Sequence, residues 1–334
     1  MPKLEAKRIR NFLSQNIIYM VLVVLIAVIA ILDPSFLSLQ TFRDILLQCA
    51  TRVIIALGVS FVLITGGTDL SAGRVVGFAA VISASMLQTQ DYLRRFYPDL
   101  PDLPLIVPIL IAIAVGILFG LFNGIVVSRF NVPPFIATLG TMVIVYGANS
   151  LYFDLEPNNS QPIGGLRPDF TNLGSGSIFS IPIIVIIALV IALLVWIVFN
   201  KTRLGKNMYA IGGNKDAAAV SGINVGRTLI ILYAIAGALY AIGGTLEAAR
   251  TGGATNNYGN MYELDAIAAC VVGGVSTTGG IGTVAGVLAG VLIFGVINYG
   301  LTFIGLNPYW QQIIKGIIII SAVAVDIRKY YAKK

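Results

Sequence analysis

The stretch "IPIIVIIALVIALLVWIVF", Ile181 to Phe199, decides the fold. It runs for nineteen residues without a charge, then breaks into "NKTRLGK". As a helix at ~1.5 Å per residue it reaches nearly 30 Å, about the thickness of a bilayer's hydrocarbon core. It is apolar on every side, so no single protein face could cover it. Lipid is the solvent it calls for.

Runs of the same kind recur on both sides. The spans predicted are 14–32, 45–65, 71–89, 105–127, 134–153, 181–199, 228–249, 262–276, 280–303 and 310–326. The eighth, around "ELDAIAACVVGG", is short and ends in glycines, which suggests a half-span or a broken helix. Composition agrees: 57% of the chain is hydrophobic and 11% charged, against roughly 25% charged in soluble domains. The reading is an all-α, polytopic membrane protein of about ten transmembrane helices. It forms one transmembrane unit over 1–334, with 200–227 as a loop.

Lys and Arg orient the chain. With both termini in the cytoplasm, fifteen of the 22 basic residues fall inside and six outside, leaving Lys315 within the last span. The inside clusters are 3–10, 201–227 and 328–334. The net charge of +7 is then a topology signal, and no nucleic-acid partner is expected. The first apolar run ends in "ILDPSFLS" with no small-x-small cleavage site, so it reads as an uncleaved anchor.

Two loops resemble each other: "GGTDLSAG" (Gly66–Gly73) and "GGVSTTGG" (Gly273–Gly280). Each joins an apolar run to a glycine-rich helix on the cytoplasmic side. The pair suggests an internal repeat, although glycine is common here, with 36 in the chain. Gly116, Gly120 and Gly124 stand four apart, as do Gly282, Gly286 and Gly290. Such strips let helix backbones approach closely, in a tight bundle or at a dimer seam.

Enzyme chemistry finds little support. There is no histidine, which removes the commonest general base and metal ligand. Gly205-Lys206 lacks the rest of a phosphate-binding loop. Cys49 and Cys270 lie in apolar runs and read as buried hydrophobes. No cofactor and no metal site is expected. Ionisable groups inside the membrane would favour an ion-coupled carrier. Asp69 is placed at the cytoplasmic boundary, where it either caps the third helix or serves the transport path. Glu247, Glu263 and Asp265 are placed near the outer boundary. Phe135 and Thr138 of "NVPPFIATLGT" would suit a pore face. Tyr146, Asn149, Asn298, Tyr299 and Trp310 have the chemistry of sugar contacts, but nothing fixes them to a path.

One more stretch lies in water: "GGNKDAAAVSGINVG", Gly212 to Gly226. Asn214 is a good N-cap and Asp216 has the right sign for the first turn. Ala217, Ala218, Ala219 and Val220 favour helix, and Gly222 can end it. Two turns are too few to stand alone, since isolated helices need ~12–15 residues. Either this is a surface loop with a chance helix, or it inserts into a groove on another body.

At this point the residues resemble a family. "TRLGKNMYAIGGNKDAAAVSGINV", "GGTDLSAG", "PFIATLGT" and "GGVSTTGGIGTVAGVLAG" are similar to motifs of the permease subunits of bacterial ATP-binding-cassette monosaccharide importers, the ribose/xylose/galactose group. The resemblance covers nearly the whole chain. Around 131–154, 252–275 and 306–334 it is closest to the galactose/methyl-galactoside members. It implies a transport subunit of the inner membrane that works as a homodimer. Its implied partners are a cytoplasmic ATPase and a periplasmic sugar-binding protein. It also implies that Gly213, Asn214, Asp216, Ala217, Ala218, Ser221 and Gly222 form a coupling helix docked on the ATPase. On that expectation Ala218→Glu disturbs the docked contact. The rival reading is an ATP-independent secondary transporter or channel, and behind it a non-transport membrane scaffold or enzyme.

Overall fold

A computed structural model describes residues 17–331. Among them are thirteen α-helices: α1 (Ile17–Leu32), α2 (Leu39–Ile64), α3 (Ala72–Met86), α4 (Ile106–Arg129), α5 (Pro134–Phe153), α6 (Pro168–Ser175), α7 (Ile183–Lys201), α8 (Arg203–Gly213), α9 (Lys215–Val220), α10 (Val225–Thr251), α11 (Tyr262–Val272), α12 (Val284–Phe303) and α13 (Pro308–Tyr331). A two-stranded hairpin, β1 (Ser177–Ile178) with β2 (Ile181–Pro182), is the only sheet among the described residues. Each of the ten predicted spans holds a helix, and Pro134–Phe153 agrees at both ends. The start of the first span and the terminal basic clusters up to Arg10 and from Lys333 lie outside the described residues.

Among the described residues, six helices are long and apolar enough to cross a membrane: α2, α4, α5, α7, α10 and α12. Burial sorts them. The apolar windows of α2 and α10 are 78% and 67% buried, while those of α4, α5 and α7 are each 28% buried. The first two are the central posts, and the other three present broad faces to lipid or to another chain. Leu189, Leu193 and Ile197 of the opening stretch are exposed, as its all-round apolarity required.

Glycine sets the closest approach. A Cβ on Gly116 or Gly120 would strike the carbonyls of Gly237 and Tyr233 on α10. Gly286 and Gly290 meet α11 and its end in the same way, at Gly273 and Ala269. Both strips therefore pack this chain against itself, with no second copy needed.

The ends of the bundle differ. Segments 87–105 and 154–182 share one end, joined by the Gln88–Leu166 bridge and by Arg167, whose guanidinium donates to the Leu103 carbonyl at 2.8 Å. Segment 200–224 and the two glycine loops share the other. Cys49 and Cys270 are free and buried.

The eighth span departs from a simple helix. After α10 the chain pairs with Ile163 through Ala254 at the 154–182 end. It then descends alongside α3 without helix. The Tyr258 carbonyl lies against Gly77 and the Gly259 carbonyl against Gly73. From Met86 down to those glycines is roughly 14–20 Å at helical rise. Only there does α11 begin, with Tyr262 under the Arg52 guanidinium, midway along α2. Residues 252–272 thus run half as loop and half as helix.

Candidate functional site

Segment 200–227 carries three N-caps, which open α8, α9 and α10. Thr202 Oγ1 accepts from the Gly205 amide at 3.2 Å, Asn214 Oδ1 from the Ala217 amide at 2.9 Å, and Asn224 Oδ1 from the Arg227 amide at 2.9 Å. Gly222 takes φ +84°, the left-handed value that a helix end asks of glycine. Asn214, Asp216 and Gly222 thus hold their expected local roles.

What holds six residues of helix is the chain's own framework. Tyr209 donates to the Gly282 carbonyl at 2.8 Å. Burial raises that hydroxyl above its ordinary range, so it stays a donor. Gly212 sits against the Ile64 carbonyl and the Gly280 amide with no room for a Cβ. Met208 and Ile211 are buried. Ala218 is only 4% exposed and belongs to the chain's main apolar core. This corrects one expectation: Ala218 faces inward. The outward face holds Gly213, Asp216, Ala217, Ser221 and, at the tip, Val220, which is 91% exposed. Small size and spacing could not tell the two faces apart.

The two look-alike glycine loops touch. The Gly280 amide donates to the Ile64 carbonyl at 2.9 Å, and Gly279 packs on Gly66 and Gly212. The second loop, together with Ile64 at the end of α2, therefore braces the end of α8 at Gly212. From there the first loop turns into the bundle. Asp69 is 1% exposed. Its Oδ1 accepts from the Ser71 amide at 2.9 Å and from Ser71 Oγ at 2.6 Å. The network continues inward: Asn123 donates to Ser71 Oγ at 2.9 Å, and Thr141 donates to Asn123 at 2.6 Å. Asp69 thus accepts a free amide just before α3, as the capping reading expected, but it does so buried within the bundle. The N-cap of α3 is Ser71, without a side-chain cap bond, and Asp69 ties the loop into the core. Thr138 is fully buried and accepts from the Leu70 amide at 3.1 Å. It is a clamp on this loop, not a pore face. Phe135, less than one turn before Thr138 on α5, turns its side chain outward and is exposed.

A second polar group lies where α11 starts. Arg74 donates to Asn260 Oδ1 at 2.8 Å, and its guanidinium lies 4.5 Å from the centre of the Tyr146 ring. Asn149 donates to the Asn256 carbonyl at 3.3 Å. Glu263 rests against Gly73. Loop counting placed Arg74 and Glu263 on opposite sides of the membrane, yet they belong to one cluster. The descending 252–261 segment is the reason.

A third group ties α2, α10, α11 and α13 together. Asp265 pairs with Lys315 at 3.3 Å and Arg52 at 3.7 Å. Glu247 pairs with Arg250 at 2.8 Å and accepts from Thr51 at 2.8 Å. Lys315, odd in an apolar span, thus has a partner. Asn298 lines a cavity of about 100 Å³ beside this group, with Gln48 and Lys315. Tyr299 donates to Asp44 instead, and Trp310 is exposed.

With this geometry in place, likeness to known proteins becomes informative. The model of the family described as "Branched-chain amino acid transport system / permease component" matches residues 41–323. The chain belongs to this family. It is 56% identical to the galactose/methyl galactoside import permease protein MglC of Haemophilus influenzae and 54% identical to that of Escherichia coli K12, each over the whole of both chains. The ribose import permease protein RbsC of Bacillus subtilis is more distant, 36% identical over 92% of this chain and 91% of its own. No solved structure matches. The chain is a multi-pass membrane permease.

Proposed function

We propose that this chain is the transmembrane permease of an ATP-driven, binding-protein-dependent importer in the bacterial inner membrane, carrying galactose or methyl galactoside from periplasm to cytoplasm. The observation that carries the reading is the full-length 56% identity to a galactose/methyl galactoside import permease. Residues 1–334 act as one permease unit of ten spans with both termini in the cytoplasm, the eighth being half loop. A second copy completes the path. A separate cytoplasmic ATPase hydrolyses ATP, and a periplasmic binding protein delivers the sugar.

The coupling segment supports the mechanism. An exposed apolar tip, Val220, stands on a framework braced by the second glycine loop and the end of α2. Closure of the ATPase would push that tip. The push passes through Gly212 to Ile64 at the end of α2 and through Gly280 to the loop before α12. The touching loops also fit an internal repeat whose two halves meet at the motor.

The rival, an ATP-independent carrier, draws on one observation, the buried Asp69. Its short bonds to Ser71 fit a structural tie better than a titrating ion site.

Uptake of radiolabelled galactose separates the two. Cells lacking other hexose systems receive this chain with its ATPase and binding protein, and each partner is then omitted. Uptake that needs both and is competed by methyl galactoside supports the importer. Uptake that persists without the ATPase refutes it, and competition by ribose instead discards the galactose assignment alone.

A further inference from the structure

A sugar importer must pass a solute covered in hydroxyls through the middle of a hydrocarbon layer. The polar group at the start of α11 lies at that level. The 252–261 segment reaches Gly73 and Gly77 without helix, roughly 14–20 Å below the end of α3. Non-helical backbone at such depth is tolerated only where protein buries it or water reaches it.

Part of this segment is not buried by the chain. Asn257, Asn260 and Met261 are exposed, and Tyr146 beside them is 43% exposed. Facing lipid, these amides would cost several kcal/mol each. Polar capacity is also left over. Arg74 Nη1, Asn149 Oδ1 and Glu263 Oε2 are buried without a hydrogen-bond partner. Asn149 and Glu263 are only 1% and 8% exposed. Leaving such atoms unmatched is expensive unless a ligand or water meets them.

The chemistry of the face is specific. An aromatic ring backed by a guanidinium offers a flat apolar platform for the C–H face of a pyranose. Amides offer paired donors and acceptors to its hydroxyls. We propose that Tyr146 of α5, Arg74 of α3, and Asn256, Asn257 and Asn260 form a water-lined site for a neutral monosaccharide, halfway along the transport path. The proposal rests on the importer reading. It adds where in this chain the sugar is held, and by which groups. Tyr146 is the platform. Arg74 fixes the ring and keeps Asn260 turned toward it. Asn149, bonded to the Asn256 carbonyl at 3.3 Å, positions the segment.

The test uses the assembled importer in membrane vesicles. Asn257→Cys and Asn260→Cys are treated with a charged, membrane-impermeant methanethiosulfonate. The native Cys49 and Cys270 are buried and leave a quiet background. Leu193→Cys, on the exposed apolar face of α7, is the lipid-facing control. Both asparagine positions should react where Leu193→Cys does not, and galactose delivered by its binding protein should remove most of the labelling. Tyr146→Ala should slow uptake about two- to tenfold, the worth of an aromatic stack, while Tyr146→Phe keeps it.

Two results would overturn the site. Unreactive cysteines at 257 and 260 mean that protein or lipid covers the face. Reaction that galactose does not slow means water without sugar. Labelling does not depend on ATP. If the importer reading failed in the uptake assay, water access would still be measured separately.

Discussion

Val220 is the sharpest test of the coupling surface. It is the outermost apolar side chain of α9, and 91% of its surface is exposed in the chain alone. Nearly all of its burial is therefore available to a partner. Fully burying a valine stabilises by ~1.5–3 kcal/mol. Val220→Ser should weaken docking of the ATPase by about 2 kcal/mol, roughly thirtyfold. Val220→Glu should do more, because a carboxylate would be desolvated in an apolar contact. Neither change touches the chain's own packing, so the amount of folded permease should stay constant. Ala218→Glu behaves in the opposite way. Ala218 is 4% exposed, and its carbonyl accepts from the Ile223 amide at 3.1 Å, so the charge lands inside this chain and folded protein is lost. The assay is co-purification of the ATPase with the permease, followed by ATP hydrolysis stimulated by the sugar-loaded binding protein in nanodiscs. Normal docking and stimulation in Val220→Glu would refute the assignment of this tip as the contact.

Arg250→Met removes two donors from Glu247, at 2.8 and 3.2 Å, and should cost ~3–5 kcal/mol as a broken buried pair. Adding Glu247→Gln should return much of that in thermal unfolding, and no recovery would mean that the pair is not the cause. Gly120→Val drives a side chain into the Tyr233 carbonyl and should cost ~1–3 kcal/mol or more, read as lost folded yield. Gly140→Val on α5, where nothing lies within 4 Å, should fold normally. Asp69→Asn keeps an acceptor for Ser71 and should retain uptake, whereas Asp69→Leu should lose it; an ion-coupled carrier would lose both. At the other end, hydrogen bonds from Arg167 hold the Asp169 carboxyl below its ordinary value of 3.8. Its contribution is therefore whole above about pH 4 and fades only as pH falls through the lowered value, so the difference in thermal unfolding between wild type and Asp169→Asn should be constant between pH 5 and 8 and shrink only in stronger acid.

Much of this was legible from residue type alone. Uniform apolarity from Ile183 to Phe199 leaves no fold but a spanning helix, because the backbone must satisfy itself in lipid. Asn214 and Gly222 announced α9 because caps are local: each bond closes within three or four residues. Direction was harder. Ala217, Ala218 and Ala219 are chemically alike, and only packing of Ala218 into the core distinguishes them. Thr138 looked like a pore residue because a hydroxyl in an apolar helix invites that reading. Its partner, the Leu70 amide, lies 68 residues earlier and leaves no trace in local pattern.

The half-span shows where pattern reading must fail. A window of hydropathy assumes that depth advances evenly along the chain. Between Gly252 and Met261 depth advances without helix, and α11 then covers the rest in eleven residues. Counting Lys and Arg across such a segment assigns Glu263 to one boundary and Arg74 to the other. The contact between Gly73 and Gly259 overrules that count, since two backbones cannot touch across 30 Å of hydrocarbon. The glycines are the reason it is possible. Gly259 takes φ +75°, which few other residues would tolerate, and a Cβ on Gly73 would strike both the Gly259 carbonyl and Glu263. Small residues thus let a loop lie against α3 at mid-depth, and the polar side chains flanking it follow. The irregularity that defeats the window is what brings Arg74, Tyr146 and the asparagines of 256–260 to one face.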